Sequence, residues 1–289
     1  MNKPLVVAIT GASGQLGREL ALMKREGVKL IGLDRAALDI TNAEQCVAAI
    51  AELRPDVIIH AAAFTAVDQA EAEPDVAWLV NVEGTRNIAA AAEAIGAKLV
   101  YVSTDYVFRG DGTTPYEVDA DTDPQTVYGR TKLEGERMAV AVCSRSFIVR
   151  TSWVFGAYGN NFVYTMLKLA EQKRELSVVN DQVGSPTYTA DLAEFLVALA
   201  NTELYGTYHA SNSGVCSWFD FAKAVFEEAE VQGVTVNSCT TAQFPRPAPR
   251  PSYSVLSSEA LVAAGFKPLR PWGEALRELL QSFPSGNNY

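Results

Sequence analysis

Leu5-Val6-Val7-Ala8-Ile9-Thr10-Gly11-Ala12-Ser13-Gly14-Gln15-Leu16-Gly17 is the stretch that decides the fold. Leu5 to Thr10 is a continuous apolar run rich in β-branched residues, the pattern of a strand buried on both faces of a parallel sheet. Glycine then recurs at 11, 14 and 17 ahead of a helical pattern, so the segment reads as strand, tight turn, helix. The spacing is G-x-x-G-x-x-G rather than the commoner G-x-G-x-x-G, but the physics is shared. Glycines let the backbone turn and approach a pyrophosphate, whose charge is favoured at a helix N-terminus. Gly11, Ser13, Gly14, Gln15 and Leu16 are therefore expected to bind a dinucleotide.

Working outward, the strand Lys29 to Asp34 ends in an acid seventeen residues past Gly17, near the spacing of about 20 for a ribose-binding carboxylate. Asp34 is expected to accept hydrogen bonds from the 2'-hydroxyl of NAD. The neighbouring Arg35 offers a guanidinium suited to the 2'-phosphate of NADP. NADH and NADPH thus both remain open. Further strands are expected at Asp56 to Ala62, Lys98 to Thr104, Phe147 to Trp153 and Gly206 to Ser211, alternating with helical patterns as in right-handed parallel crossovers. Thr41-Asn42-Ala43-Glu44 resembles a capping box, and Arg54-Pro55 ends the helix that follows. Asp39 and Ile40 join the expected cofactor side, as do Ala61, Ala62 and Ala63, whose small side chains let a cofactor lie near the backbone. Ligands of such sheets bind at the C-terminal strand ends, where Gly11, Asp34, Ala62 and Thr104 converge.

The expected fold is therefore α/β, a Rossmann-type doubly wound parallel sheet with a smaller C-terminal α/β substrate domain. After about Trp153 the alternation becomes irregular. Helices are expected from Phe162, over Thr189 to Ala200, from Ser217 and over Trp272 to Phe283, with a short strand at Ser177 to Val179. Residues 1–155 and 186–212 are assigned to the dinucleotide-binding domain, 156–185 and 213–289 to the substrate domain. Gly110-Asp111-Gly112-Thr113 reads as a mobile segment, and Phe244 to Pro251 as a proline-rich linker.

Composition narrows the function. The chain has 289 residues, 48% of them hydrophobic, and a net charge of -10, which supports a sizeable core and argues against nucleic acid or an anionic membrane as partner. Cysteines 46, 143, 216 and 239 lack C-x-x-C spacing, and His60 and His209 are the only histidines. Neither a metal cluster nor a disulfide framework is expected, and buried thiols suit a reducing cytoplasm. No apolar run approaches the length of about 18 residues that spans a membrane, and no signal peptide is visible. Both histidines are read as satisfied core residues.

The chemistry is carried by Thr104, Tyr128 and Lys132. Tyr128 and Lys132 stand four residues apart in Val127-Tyr128-Gly129-Arg130-Thr131-Lys132, so phenol and ammonium project from one helical face. A phenol of pKa about 10 is a sluggish proton donor. A fixed positive charge beside it is expected to lower that pKa toward the range where it exchanges a proton with a sugar alkoxide. Thr104 supplies a hydroxyl for the same oxygen.

The chain resembles the extended short-chain dehydrogenase/reductases over nearly its whole length. The more specific marks are Arg54-Pro55-Asp56-Val57-Ile58-Ile59, Ala66-Val67-Asp68-Gln69-Ala70-Glu71, Ser103-Thr104-Asp105-Tyr106-Val107-Phe108, Arg150-Thr151-Ser152-Trp153 and Asn180-Asp181-Gln182-Val183-Gly184-Ser185-Pro186-Thr187. The resemblance implies NADPH- or NADH-dependent reduction of the C4 ketone of a nucleotide sugar, dTDP-6-deoxy-L-lyxo-4-hexulose, to dTDP-L-rhamnose. Tyr128 would donate the proton, Lys132 hold the nicotinamide ribose and Thr104 orient the carbonyl. Val67, Asp105, Tyr106 and Trp153 would wall the sugar pocket, with Asn161 and Arg250 at the diphosphate. Asn81 matches an asparagine that braces the active-site helix. Two alternatives stay open: a reductase of another nucleotide-4-ketohexose, and a non-catalytic regulatory subunit similar to the methionine adenosyltransferase β subunit. The assembly is expected to be a monomer or a homodimer.

Overall fold

The computed structural model describes residues 3–282. Six strands form one sheet: β1 (Leu5–Thr10), β2 (Val28–Leu33), β3 (Val57–His60), β4 (Lys98–Thr104), β5 (Ser146–Thr151) and β6 (Gly206–His209). All are parallel, in the order β2-β1-β3-β4-β5-β6. Parallel neighbours need crossover helices, which cover both faces of the sheet. The strand sequences show why both faces are buried: Val7 and Ile9 point into one core, and Ala8 between them into the other. The first core also takes Leu16 and Leu20 of α1 (Gln15–Leu22) and Leu192, Leu196 and Leu199 from the helix Thr189–Ala200. The second takes Ile50 of α2 (Ala43–Leu53), Ile88 and Ala92 of α3 (Gly84–Ile95) and Ala139 of α4 (Val127–Val142).

From β1 the chain adds β2 on one side, then returns to place β3 on the other. That reversal opens a crevice beyond the strand ends between β1 and β3, the point where open α/β sheets take their ligands.

A third core gathers residues from after Trp153. Val163 and Leu167 of α5 (Phe162–Gln172) pack with Phe155, Leu176 and Val178, with Phe221 and Val225 of the helix Trp218–Glu228, and with Leu276 and Leu279 of the helix Trp272–Gln281. The short strand begins at Glu175 and pairs in parallel with Thr235–Cys239, a strand that the sequence pattern did not reveal. Phe283, the expected end of the last helix, lies outside the described residues.

Two local readings change. Asn42, not Thr41, caps α2, its side chain accepting from the Gln45 amide at 3.0 Å, while the Thr41 hydroxyl donates to Asp39. The segment after Gly110 is tied down: the amides of Gly110 and Gly112 donate to the Tyr116 hydroxyl, and the Gly110 carbonyl accepts from Tyr253 N and Ser252 Oγ. The four cysteines are free thiols, and no described helix is long and apolar enough to cross a membrane.

Candidate active site

The glycines of the first turn are steric necessities. Gly11 has φ +71°, and a Cβ there would stand 2.7 Å from the Ala62 backbone at the end of β3. A Cβ on Gly17 would stand 2.1 Å from the Gly11 carbonyl oxygen, so α1 starts as close to the turn as backbone allows. Gly14 occupies the N-cap of α1 and provides no side-chain acceptor, which leaves helix N–H groups for an anion. This bare, closely approached cradle fits a dinucleotide pyrophosphate.

Gly11, Ser13, Gly14, Gln15 and Leu16 line a cleft of about 1440 Å³, with Arg35, Asp39, Ile40 and Ala61 to Ala63 continuing along it. Asp34 does not. Its Oδ1 accepts the amides of Ala36 and Ala37 at 3.0 and 2.9 Å, closing the turn after β2, and the guanidinium beside it faces the cleft instead. Asp34 Oδ1 thus serves the turn after β2, and of the two neighbours Arg35 is the one that lines the cleft, with a charge that suits a 2'-phosphate. Asp39 holds Thr41 N and Oγ1 at 3.0 and 2.8 Å, bonds that lower its pKa.

Thr104, Tyr128 and Lys132 meet in the same cleft. Thr104 ends β4. Thr126 caps α4 through the Gly129 amide at 2.9 Å, and a Cβ on Gly129 would lie 2.2 Å from the Tyr106 carbonyl oxygen, so the helix start is pressed against the turn after Thr104. Lys132 Nζ donates to the Val102 carbonyl at 2.7 Å and sits 4.0 Å from the centre of the Tyr101 ring. Burial pulls its pKa down to about 7, against the pull of the Glu136 carboxylate. Burial also pushes the Tyr128 phenol up to about 12, opposed by the Thr104 hydroxyl, which faces it. Lys132, whose ammonium is turned to the Val102 carbonyl, is not among the groups that shift the phenol, and burial dominates.

Asn81 braces α4 through the Thr131 side chain. It sits in a π-helical turn, Leu79–Glu83, a feature frequent at functional sites. Its Oδ1 accepts Phe64 N at 2.8 Å, and its Nδ2 donates to Phe64 O at 3.2 Å and to Thr131 Oγ1 at 3.0 Å. His60 is satisfied at both nitrogens by Thr10 and Thr85. His209 is not: Nδ1 is buried without a partner, and Nε2 lies 3.5 Å from Arg150 Nη1.

Beyond the trio the cleft enters the third core. Val67, Asp105, Tyr106, Trp153 and Arg250 line it. Trp153 adopts φ +48°, unusual for a bulky side chain, and stacks on Trp218 with ring centroids 3.6 Å apart. Gly184 leaves room for it, since a Cβ there would come within 2.6 Å of the indole. Arg250 donates to Asp68 Oδ2 at 2.8 Å and to the Ala248 carbonyl at 3.0 Å, which ties the proline-rich segment to the helix Val67–Ala72. Asn161 is not brought to the cleft. Its carboxamide caps α5 through Tyr164 N and binds the Gly156 carbonyl.

The sequence reading missed Trp218, Phe162 and Arg246, which line the far lobe, and a buried pair beneath the trio. Glu136 binds Arg150 through both oxygens and accepts Ser103 Oγ at 2.5 Å. Its position four residues after Lys132 places it on the same face of α4, and that spacing was the available signal.

A glycine cradle at the switch point, joined to a Thr-Tyr-Lys trio under a second lobe, defines a nicotinamide-dependent reductase of the extended short-chain dehydrogenase/reductase class. The family model described as RmlD substrate binding domain matches residues 5–285. The chain is 48% identical to a spore coat polysaccharide biosynthesis protein, SpsK, of Bacillus subtilis, over 95% of this chain and 96% of that one. It is 47% identical to a dTDP-4-dehydrorhamnose reductase of Streptomyces griseus, over 96% and 92%. A crystal structure of dTDP-4-dehydrorhamnose reductase from Bacillus anthracis in complex with NADP superposes with a TM-score of 0.94 at 46% identity, covering 97% of this chain and all of that one. The chain belongs to the dTDP-4-dehydrorhamnose reductase family.

Proposed function

We propose that this protein reduces the C4 ketone of dTDP-6-deoxy-L-lyxo-4-hexulose to dTDP-L-rhamnose, with NADPH as the preferred reductant. The observation that carries the reading is the meeting of Thr104, Tyr128 and Lys132 where the glycine cradle opens into the lobe walled by Trp153 and Trp218. The division of the chain at 1–155 with 186–212 and 156–185 with 213–289 belongs to the same proposal: one part holds the dinucleotide, the other the nucleotide sugar.

Bound NADPH supplies the hydride that reaches the C4 carbonyl carbon. Tyr128 donates its phenolic proton to the carbonyl oxygen as that oxygen gains charge. Such a placed donor is worth roughly 10² to 10⁴ in rate. Lys132 carries the positive charge that offsets the phenolate, and its buried site makes that charge effective. Thr104 orients the oxygen, while Arg250 offers a planar fork to the diphosphate once Asp68 yields part of it. Ser13, Gly14 and Gln15 hold the pyrophosphate and Arg35 the 2'-phosphate.

The test is oxidation of NADPH and of NADH by the purified protein with enzymatically generated ketosugar. Turnover with the higher kcat/KM for NADPH is expected. A preference for NADH would remove Arg35 from the proposal, and no turnover with either nucleotide would remove the function.

A further inference from the structure

We propose that Tyr101 positions the Lys132 ammonium for the reduction, its hydroxyl anchored to α4 and its ring face carrying the charge. The proposal deepens the reductase reading and rests on it.

Tyr101 stands in the middle of β4 with no exposed surface, behind the cleft rather than in its lining. Both ends of Lys132 meet it. The Tyr101 hydroxyl donates to the Lys132 main-chain carbonyl at 3.2 Å, and Lys132 Nζ lies 4.0 Å from the centre of the Tyr101 ring. Lysine carries its charge on a flexible four-carbon stem, and here that stem closes a loop whose two ends rest on one rigid side chain. Glycine at 135 admits the hydroxyl, since a Cβ there would stand 2.2 Å from the Tyr101 phenol oxygen and 2.6 Å from the Asn81 carbonyl oxygen. Burial, and then the Glu136 carboxylate, push the Tyr101 phenol well above its ordinary range, so it stays a neutral donor.

The ring supplies what the other neighbours of the ammonium do not. Lys132 is 2% exposed, and a buried charge is costly unless something stabilises it. Among the described residues, the Val102 carbonyl at 2.7 Å is the one hydrogen-bond acceptor of its Nζ. The carboxylate one turn on, Glu136, has both oxygens on Arg150 and one of them also on Ser103. His60 of β3 tilts against the Tyr101 ring with centroids 5.7 Å apart, and burial, then the Lys132 charge, pull its pKa down to about 3, so it is neutral. An aromatic face attracts a cation most strongly where water is excluded. It does so without the grip of a carboxylate. Of the three ammonium donors, those not held by Val102 can turn to the nicotinamide ribose and the phenol in the cleft that Lys132 lines.

The test replaces Tyr101 by Phe and by 3,4,5-trifluorophenylalanine, whose ring has nearly the same shape but a face stripped of its negative potential. Lysine labelled with 13C at Cε reports the titration of Lys132 by NMR, its signal assigned by its absence from Lys132→Arg. Tyr101→Phe keeps the ring face and is expected to titrate with the parent. The trifluoro protein is expected to titrate about 1.5 pH units more acidic, the worth of a desolvated cation–π contact. The alkaline limb of kcat/KM for NADPH, which reports the free enzyme, should move by the same amount, a shift that lost stability alone would not produce. Equal titration of the Phe and trifluoro proteins, or a shift in titration that kcat/KM does not follow, would overturn the proposal. Failure of the unsubstituted protein to turn over would instead strike the reductase reading, because the NMR titration needs no substrate.

Discussion

Replacing Glu136 by Gln keeps the shape of the side chain and exchanges one carboxylate oxygen for an amide NH2. Glu136 now accepts Ser103 Oγ at 2.5 Å and Arg150 Nε at 2.9 Å on one oxygen, and Arg150 Nη2 at 2.8 Å on the other. Whichever way the amide turns, its NH2 meets a guanidinium donor. The Arg150 and Glu136 side chains are 6% and 7% exposed, so water cannot take the lost place. Breaking a buried pair from one side costs about 3–5 kcal/mol. At about 2–4 °C per kcal/mol for a chain near this size, the melting temperature should fall by about 6–20 °C. Glu136→Met with Arg150→Met removes both charges and strands only lesser groups, chiefly the Val118 carbonyl that Arg150 now binds at 3.0 Å. The double variant should therefore recover at least about 2 kcal/mol relative to the sum of the two single variants. Because Ser103 precedes Thr104 and Glu136 lies a turn from Lys132, kcat should fall in the Gln variant as well. Urea and thermal melts of the parent, the Gln variant, the two single Met variants and the double variant provide the assay. A Glu136→Gln protein melting within about 3 °C of the parent, or a double variant no better than the sum, would refute the argument.

Further predictions follow from the same cleft. Tyr128→Phe should lose at least about 100-fold in kcat while binding NADPH with unchanged affinity in a fluorescence titration. Lys132 has its pKa lowered by burial to about 7, and an anionic cofactor favours its charged form. Above pH about 7, binding must therefore take up a proton. NADPH affinity should be level below that pH and fall as pH rises through it, and calorimetry in buffers of different ionisation enthalpy should show the uptake. Gly184→Ala drives a methyl into the Trp153 indole and should raise the sugar KM by about 2- to 13-fold, the worth of an aromatic pair, with the NADPH KM unmoved. Arg250→Ala removes a charged donor and leaves Asp68 facing the diphosphate, so the sugar KM should rise about 10-fold or more; an equal rise for NADPH would contradict its placement.

Much of this was legible along the chain because it depends on local period and spacing. The run from Leu5 to Gly17 shows a strand buried on both faces and a turn that only glycine permits, and β1, the turn and α1 follow it residue by residue. Tyr128 and Lys132 share a face because a helix returns in just under four residues. What the sequence concealed depends on distant partners. Asp34 has the right type and position for a ribose, yet one oxygen of its carboxylate is held by two amides of its own turn. Asn161 has the right chemistry for a phosphate, yet it starts a helix, a demand Asn meets well. The strand Thr235–Cys239 shows little burial and so no apolar period to read. Trp218 enters the cleft only because the helix it opens packs Phe221 into the third core, and the phenol pKa follows from burial that no spacing reveals.

The most direct test of the central claim is transfer of a label. With NADPH deuterated at the transferred position and dTDP-6-deoxy-L-lyxo-4-hexulose, the NMR spectrum of the product should show deuterium at sugar C4 and the L-rhamno configuration. Deuterium elsewhere, the C4 epimer, or NADPH left unoxidised would contradict the account.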